Sequence, residues 1–316
     1  MTKLKGILLT EGMHGMISQV EGLAKALDIE FIHEKIVINN FWKIIPPRFT
    51  PIKKFVFKNN LKKDFNIVIS CGRKSVIPSI FLKKKYRNKI VNIHIQDPKV
   101  SLKNFDFIVV PEHDNLVGEN VLQSKGAIHY LQENELEKSK NYLKSEIKKE
   151  KLVTLIMGGP NKYYDYNDED IDKIFKKIKE NFINNGYQLV FIPSMRTPQI
   201  IIDKAKNYYN ENQIIITSID KNAYLSSLKL SDHIVVTCDS ISMISEAAIT
   251  GKPIYIAHMP NKKKNERFKK FFDLFKSLKI IRDLEDSVDN WSYKKLDETN
   301  RISRYIKDQL KNYDFS

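Results

Sequence analysis

Cysteine is scarce in this chain, with two among 316 residues. That excludes a disulfide-stapled framework and a cysteine-rich zinc site. Long apolar runs are missing as well, and none approaches the roughly 20 residues a helix needs to cross a bilayer. Eleven glycines and eleven prolines exclude collagen-like and low-complexity architectures. Arginine is also short: of 53 basic residues only eight are Arg, at 48, 73, 87, 196, 267, 282, 301 and 304. The planar guanidinium reads phosphates and bases bidentately, and the lysine ammonium does not. The formal charge of +15 is therefore carried mainly by lysine, and no nucleic-acid partner is expected from it. It does suit attraction to an anionic membrane surface. Two lysine clusters, 83–87 and 262–264, are the candidate contacts.

What is present fits packed domains. Hydrophobic residues make up 42% of the chain, aromatics 10% and charged residues 29%, which excludes a mostly disordered polypeptide. The length suits two domains of about 150 residues. The stretch at residues 1–11 has basic residues but too short an apolar core for a signal peptide, so a cytoplasmic address is expected, with peripheral contact to a membrane.

Short β-branched runs alternate with amphipathic stretches. Residues 7–10, 31–38, 67–70, 90–95 and 107–110 read as strands, and 17–27 as a helix. Residues 136–151 read as a Lys/Glu-rich helix with no strong apolar face, and its end sets the expected domain boundary: 1–150 and 151–316. The pattern then restarts. Strands are expected at 152–157, 188–192, 214–217, 234–237 and 254–257, and helices at 171–185, 200–209, 223–228 and 241–250, with a terminal helix at 298–312. Such alternation predicts α/β architecture, with parallel sheets flanked by helices. Two series predict two Rossmann-like domains facing a cleft. In such sheets ligands bind beyond the carboxyl ends of the strands, so the strand-to-helix turns are where chemistry is sought.

The first turn holds His14 and Gly15, and an imidazole there would take a proton from a hydroxyl near neutral pH. The plainer reading is a capping or surface histidine. The next turn, Ser70-Cys71-Gly72-Arg73-Lys74-Ser75, sets two cations at the mouth of a helix and suits an anion. Asp97 sits in Gln96-Asp97-Pro98, and Glu112-His113-Asp114 forms a polar cluster after the strand at 107–110. Neither has the ligand spacing of a zinc site. In the second half, Gly158 and Gly159 offer backbone N–H groups to phosphate, and Arg196 lies in a hydroxyl-rich turn that favours a phosphate contact. Asp168-Glu169-Asp170 looks like a metal-binding pair of acids but opens a helix, where acids complement the dipole. The strongest segment is 237–248, Thr-Cys-Asp-Ser-Ile-Ser-Met-Ile-Ser-Glu-Ala-Ala. In it Glu246 falls outside capping-box spacing, and its carboxylate is expected instead to accept two ribose hydroxyls.

These residues carry a resemblance. The runs 70–75, 95–98, 105–114, 158–159, 196–198, 235–248 and 251–253 lie in order and together resemble the mitochondrial-fission Elm family and its bacterial relatives. Cys238 stands where a small residue such as Ala is expected, and the first loop departs from the Asp-Gly-x-x-Gly form. The resemblance implies a GT-B-like fold and, for bacterial members, a glycosyltransferase-type activity. Plant members act in organelle fission. The segment around Glu246 is also similar to the donor site of MurG-like sugar transferases. That likeness implies that Gly158, Gly159, Arg196, Asp239, Ser240, Ser242, Met243 and Glu246 hold a nucleotide sugar. It places Gly15, Arg73, Lys74, Glu112 and Asp114 on the acceptor side, with His14, Asp97 or His113 as the catalytic base. The expected partners are a nucleotide-sugar donor and an envelope or lipid-linked saccharide acceptor, without cofactor or metal. Two alternatives stay open: a nucleotide-sugar epimerase on the same fold, and a non-catalytic interaction protein.

Overall fold

The computed structural model describes residues 4–61, 64–285, 287–313 and 315. Residues 1–3, where the amino-terminal reading begins, lie outside them. The chain divides into two compact units, Met1–Tyr130 with Asp297–Ser316, and Leu131–Leu296.

The first unit runs β1 (Lys5–Thr10), α1 (His14–Ala26), β2 (Glu30–Lys35), β3 (Ile67–Cys71), α2 (Val76–Tyr86), β4 (Val91–Ile95), β5 (Phe107–Pro111) and β6 (Val121–Ser124). Its six strands form one sheet in the order β2-β1-β3-β4-β5-β6. Every neighbouring pair is parallel. β3, β4 and β5 are buried at every position. A strand covered on both faces reads as a continuous apolar run rather than an alternating one. β2, on the edge, is largely exposed.

The second unit opens with α3 (Glu133–Ser139) and continues through β7 (Lys151–Met157), α4 (Asp168–Asn181), β8 (Tyr187–Pro193), α5 (Gln199–Tyr208), β9 (Ile214–Ile215), α6 (Lys221–Leu230), β10 (His233–Thr237), α7 (Ile241–Ala247), β11 (Ile254–Ala257), α8 (Glu266–Ser277) and β12 (Ile281–Asp283). Its sheet is ordered β12-β11-β10-β7-β8-β9, again with parallel pairs throughout. The loops after β7, β8 and β10 therefore leave the sheet at one edge.

Three expectations are corrected. The helix expected at 136–151 ends at Ser139 and gives way to turns. In that stretch Leu136 and Leu143 are the buried apolar side chains, too few for a continuous helical stripe. They serve the second unit: Leu143 joins the cluster of Val190, Ile192, Ile214 and Ala223. Its amide donates to Ser226 Oγ at 3.2 Å. The boundary therefore falls at 130, not 150. The terminal helix α9 (Glu298–Leu310) returns to the first unit, because its apolar stripe Ile302, Ile306 and Leu310 completes the core of Val20, Leu23, Ile69 and Ile128. Polar ties fix its start. Thr299 Oγ1 donates to the His129 carbonyl at 3.0 Å, and the Lys125 amide donates to Glu298 Oε2 at 2.9 Å.

Candidate functional site

Three loops of the second unit converge on one carboxylate. β10 ends in Thr237, and the chain turns through Cys238 and Asp239 into α7. The Asp239 side chain has no solvent exposure. Its Oδ1 accepts from Thr237 Oγ1 at 2.7 Å and from the Tyr166 hydroxyl at 2.6 Å. Its Oδ2 accepts from Arg196 Nη2 at 2.5 Å and from the Gly159 amide at 3.3 Å. A buried carboxylate is tolerated only when paired and hydrogen-bonded, and four donors meet that condition. Burial, then the nearby Asp239 charge, pushes the Tyr166 phenol far above its ordinary range, so it remains a neutral donor. Burial likewise pushes the Cys238 thiol up to about 12, which leaves it an inert thiol.

The paired glycines have a different role from the one expected. Both are buried and their amides are used internally, Gly158 on Thr237 Oγ1 at 2.8 Å and Gly159 on Asp239. A Cβ on Gly158 would stand 2.1 Å from Asp239 Oδ1, and one on Gly159 would stand 1.9 Å from the Arg196 carbonyl oxygen. They are glycines because neighbouring loops press against them. Asp239 is likewise a brace between loops, its oxygens already occupied.

Arg196 differs from these. It lies between β8 and α5, in a turn held by Thr197, whose hydroxyl reaches the Met157 and Gly158 carbonyls at 2.7 Å. One guanidinium nitrogen rests on Asp239 while the side chain remains 38% exposed. Ser240 caps α7, its Oγ accepting from the Met243 amide at 3.4 Å. Ser240, Ser242 and Met243 are half-buried. Glu246 is almost enclosed and accepts from the Tyr224 hydroxyl at 2.9 Å. Tyr166 and Tyr224 escaped the sequence reading. Their partners lie 73 and 22 positions away, and no local spacing marks such pairs. The acids at 168–170 do open a helix. Asn167 caps it by accepting from the Asp170 amide at 2.9 Å, Lys173 pairs with Glu169 at 2.8 Å, and Lys204 pairs with Asp168 at 2.7 Å.

In the first unit the two cations near α2 are structural ties. Lys74 meets Glu11 twice, through its amide at 3.0 Å and its ammonium at 2.8 Å. Arg73 Nη2 donates to the Lys43 and Ile45 carbonyls at 3.2 and 2.8 Å. Gly72 between strand and turn has φ +88° and packs against Met16, a conformation that favours glycine. His113 is fully enclosed, with Nε2 3.8 Å from Asp114 Oδ1. An enclosed ring does not reach a substrate hydroxyl, so the structure removes it from the candidate bases. Glu112 and Asp114 share its 3-10 turn and are half-buried. His14 is exposed on the first turn of α1, beside half-buried Gly15. Asp97 keeps limited exposure and holds Lys99 through its amide at 2.9 Å and its ammonium. Among the described residues no group of three or more His, Cys, Asp and Glu is arranged to hold a metal ion, and no helix is long and apolar enough to cross a membrane.

Two parallel six-stranded α/β units, with polar turns at the carboxyl ends of the strands, define a protein of GT-B-like fold. Solved structures agree. The chain is similar to the UDP-GlcNAc 2-epimerase of Neisseria meningitidis bound to UDP-GlcNAc, with TM-score 0.55, 12% identity, and 98% of this chain and 100% of that one covered. It is also similar to the glycotransferase of kitacinnamycin, with TM-score 0.54, 10% identity and 99% of each chain covered. At such identities the likeness is one of fold. The family model described as mitochondrial fission ELM1 matches residues 14–310, and the chain belongs to that family. It is 29% identical over 286 residues to an uncharacterized protein of Rickettsia prowazekii (strain Madrid E), covering 78% of this chain and 80% of that protein. To the mitochondrial fission protein ELM1 of Arabidopsis thaliana it is 25% identical over 274 residues, covering 77% of this chain and 64% of the plant protein's length.

Proposed function

We propose that the second unit binds a nucleoside-diphosphate sugar and that the chain transfers the sugar to an acceptor hydroxyl. The observation that carries this reading is Arg196. A buried carboxylate holds one of its nitrogens at the carboxyl edge of a parallel sheet, and the rest of the guanidinium remains accessible. An arginine fixed in this way presents donors to a diphosphate with little rotamer freedom left to lose. Half-buried Ser240, Ser242 and Met243 sit on the neighbouring turn, and Glu246 suits a ribose diol.

In this reading the acceptor oxygen attacks the anomeric carbon and forms the new C–O bond. The bond from that carbon to the diphosphate oxygen breaks, and its electron pair leaves with the diphosphate. Arg196 offsets the developing charge. The acceptor proton needs a base, and the first unit's own candidates are exposed His14 and then Asp97. The acceptor in this reading is a lipid-linked or envelope saccharide, a choice supported by the chain's net charge of +15, which suits an anionic membrane.

A thermal-shift panel of nucleoside diphosphates and their sugars, uridine nucleotides first, tests the binding step. A ligand at a hundred times its Kd stabilises by about 2.7 kcal/mol, a rise of several degrees. Glu246→Gln should weaken nucleoside binding by roughly 10-fold or more, as a charge-assisted hydrogen bond is lost. No stabilisation by any nucleotide would favour a non-catalytic interaction protein. Turnover of the nucleotide sugar alone, without acceptor, would favour epimerisation.

A further inference from the structure

The connection between β2 and β3 is unlike the rest of the first unit. Residues 36–63 of it hold seven basic residues and no acidic one, together with Phe41, Trp42, Phe49, Phe55 and Phe57; Asp64, which follows, pairs with Lys5 at 2.9 Å. Instead of the usual crossover helix it forms three 3-10 turns, Asn40–Lys43, Pro47–Phe49 and Lys54–Val56. Ile38, Val56, Phe57 and Leu61 point into the core. Phe41, Ile44, Phe49 and Phe55 remain 67%, 81%, 66% and 58% exposed. Single exposed apolar residues are ordinary, but four large ones on one short insertion mark an interaction surface.

The exposure is built into the segment. The Asn39 amide donates to the Val56 carbonyl at 2.9 Å and the Lys58 amide to the Val37 carbonyl at 2.8 Å. Arg73 clamps the backbone at Lys43 and Ile45. The rings of Phe41, Trp42 and Phe55 form a chain, with centroids 4.8 and 6.0 Å apart. Around them Lys43, Arg48, Lys53, Lys54 and Lys58 are exposed. Among the described residues none of the five enters an ion pair. The two lysine clusters singled out from the sequence differ, since Lys83 is held by Asp106 at 2.7 Å and Lys262 by Asp165 at 3.2 Å.

We propose that this insertion docks the first unit onto an anionic lipid bilayer. Phe41, Ile44, Phe49 and Phe55 enter the headgroup layer, Trp42 lies at its boundary, and the five cations meet lipid phosphates. Charge complementarity selects the occupant: a stretch of cations and large apolar groups with no carboxylate between residues 36 and 63 matches a layer that offers phosphate outside and hydrocarbon beneath. The inference is independent of the nucleotide reading.

The test is co-sedimentation of the full chain with phosphatidylcholine vesicles, with and without 30% phosphatidylglycerol. Trp42 emission is followed in a Trp291→Phe background. The chain should bind the anionic vesicles, with Trp42 emission blue-shifted and quenched by brominated lipid. Arg48→Gln with Lys53→Gln should weaken binding roughly thirty-fold, about fivefold per cation. Phe41→Ser with Phe55→Ser should abolish the Trp42 shift. Lys84→Glu with Lys85→Glu should change neither. The six side chains changed in these three variants are exposed and Trp291 is half-buried, and unchanged thermal melts would show that the background and each variant fold. Failure of the wild type to bind anionic vesicles at low salt overturns the proposal. So does binding without a Trp42 shift, or binding lost only in the Lys84/Lys85 variant.

Discussion

A methyl group on Gly159 would stand 1.9 Å from the Arg196 carbonyl oxygen, and backbone does not yield as a flexible side chain does. Gly159→Ala should therefore destabilise the second unit by at least about 2 kcal/mol, within the range for overpacking. A lower urea midpoint with unchanged slope would show it. A phosphate-cradling glycine on an open loop would instead lose ligand affinity and keep its stability. The residue types were legible at this scale and their roles only in part. Gly158, Gly159, Arg196 and Asp239 come together in the structure, yet the amides read as phosphate donors face Thr237 and Asp239. Sequence places chemistry at a turn, but which groups satisfy one another across loops depends on packing. Arg73 and His113 show the same limit: one is spent on the backbone of residues 43 and 45, and the other is enclosed.

Among the elements, the terminal helix most changes the organisation. Ile306 on α9 has no exposure and packs in the first unit's core. Ile306→Ala should cost about 2–5 kcal/mol, the range for a buried aliphatic truncated to Ala. Hydrogen exchange should accelerate in β1, β3 and β4 while β7 and β8 keep their protection. Loss of protection in β7 instead would contradict the assignment of α9 to the first unit. The helix itself was legible from its 3.6-residue stripe, because a stripe needs only local sequence. Its destination was not, because an apolar stripe does not name the core it fills. Strands such as β3, β5 and β8 were legible for a related reason: burial on both faces leaves a nearly continuous apolar run. β6, β12 and α8 passed unnoticed. The two strands are short and only partly buried, and α8 buries Phe268, Phe271 and Phe275 between charged residues that obscure the run.

Over the whole molecule, acid should weaken the fold before its carboxylates protonate. Burial holds the His94 imidazole down to about 3, and it also lowers His233. An unfolded histidine takes a proton below about 6.5, whereas folded His94 refuses it until about pH 3. Stability is therefore complete above pH 6.5 and falls as pH drops below it, by up to about 1.4 kcal/mol per pH unit for each such histidine. His94→Phe removes the His94 share of this dependence and retains the Ser70 hydroxyl's bond to the Ile93 carbonyl at 3.1 Å. Urea stability measured between pH 7 and 4.5 should show a shallower slope in this variant than in the wild type, and an equal slope would contradict the buried-neutral assignment.

Arg196 is the proposed diphosphate contact of the second unit. The direct measurement is calorimetric titration of the wild type and Arg196→Ala with a nucleoside diphosphate and with the matching nucleoside. The wild type should prefer the diphosphate, and the substitution should erase most of that preference, weakening diphosphate binding by roughly 10–100-fold for a lost charge-assisted contact while leaving nucleoside binding nearly unchanged. Equal diphosphate affinity in the two proteins, with both folded, would contradict the central claim.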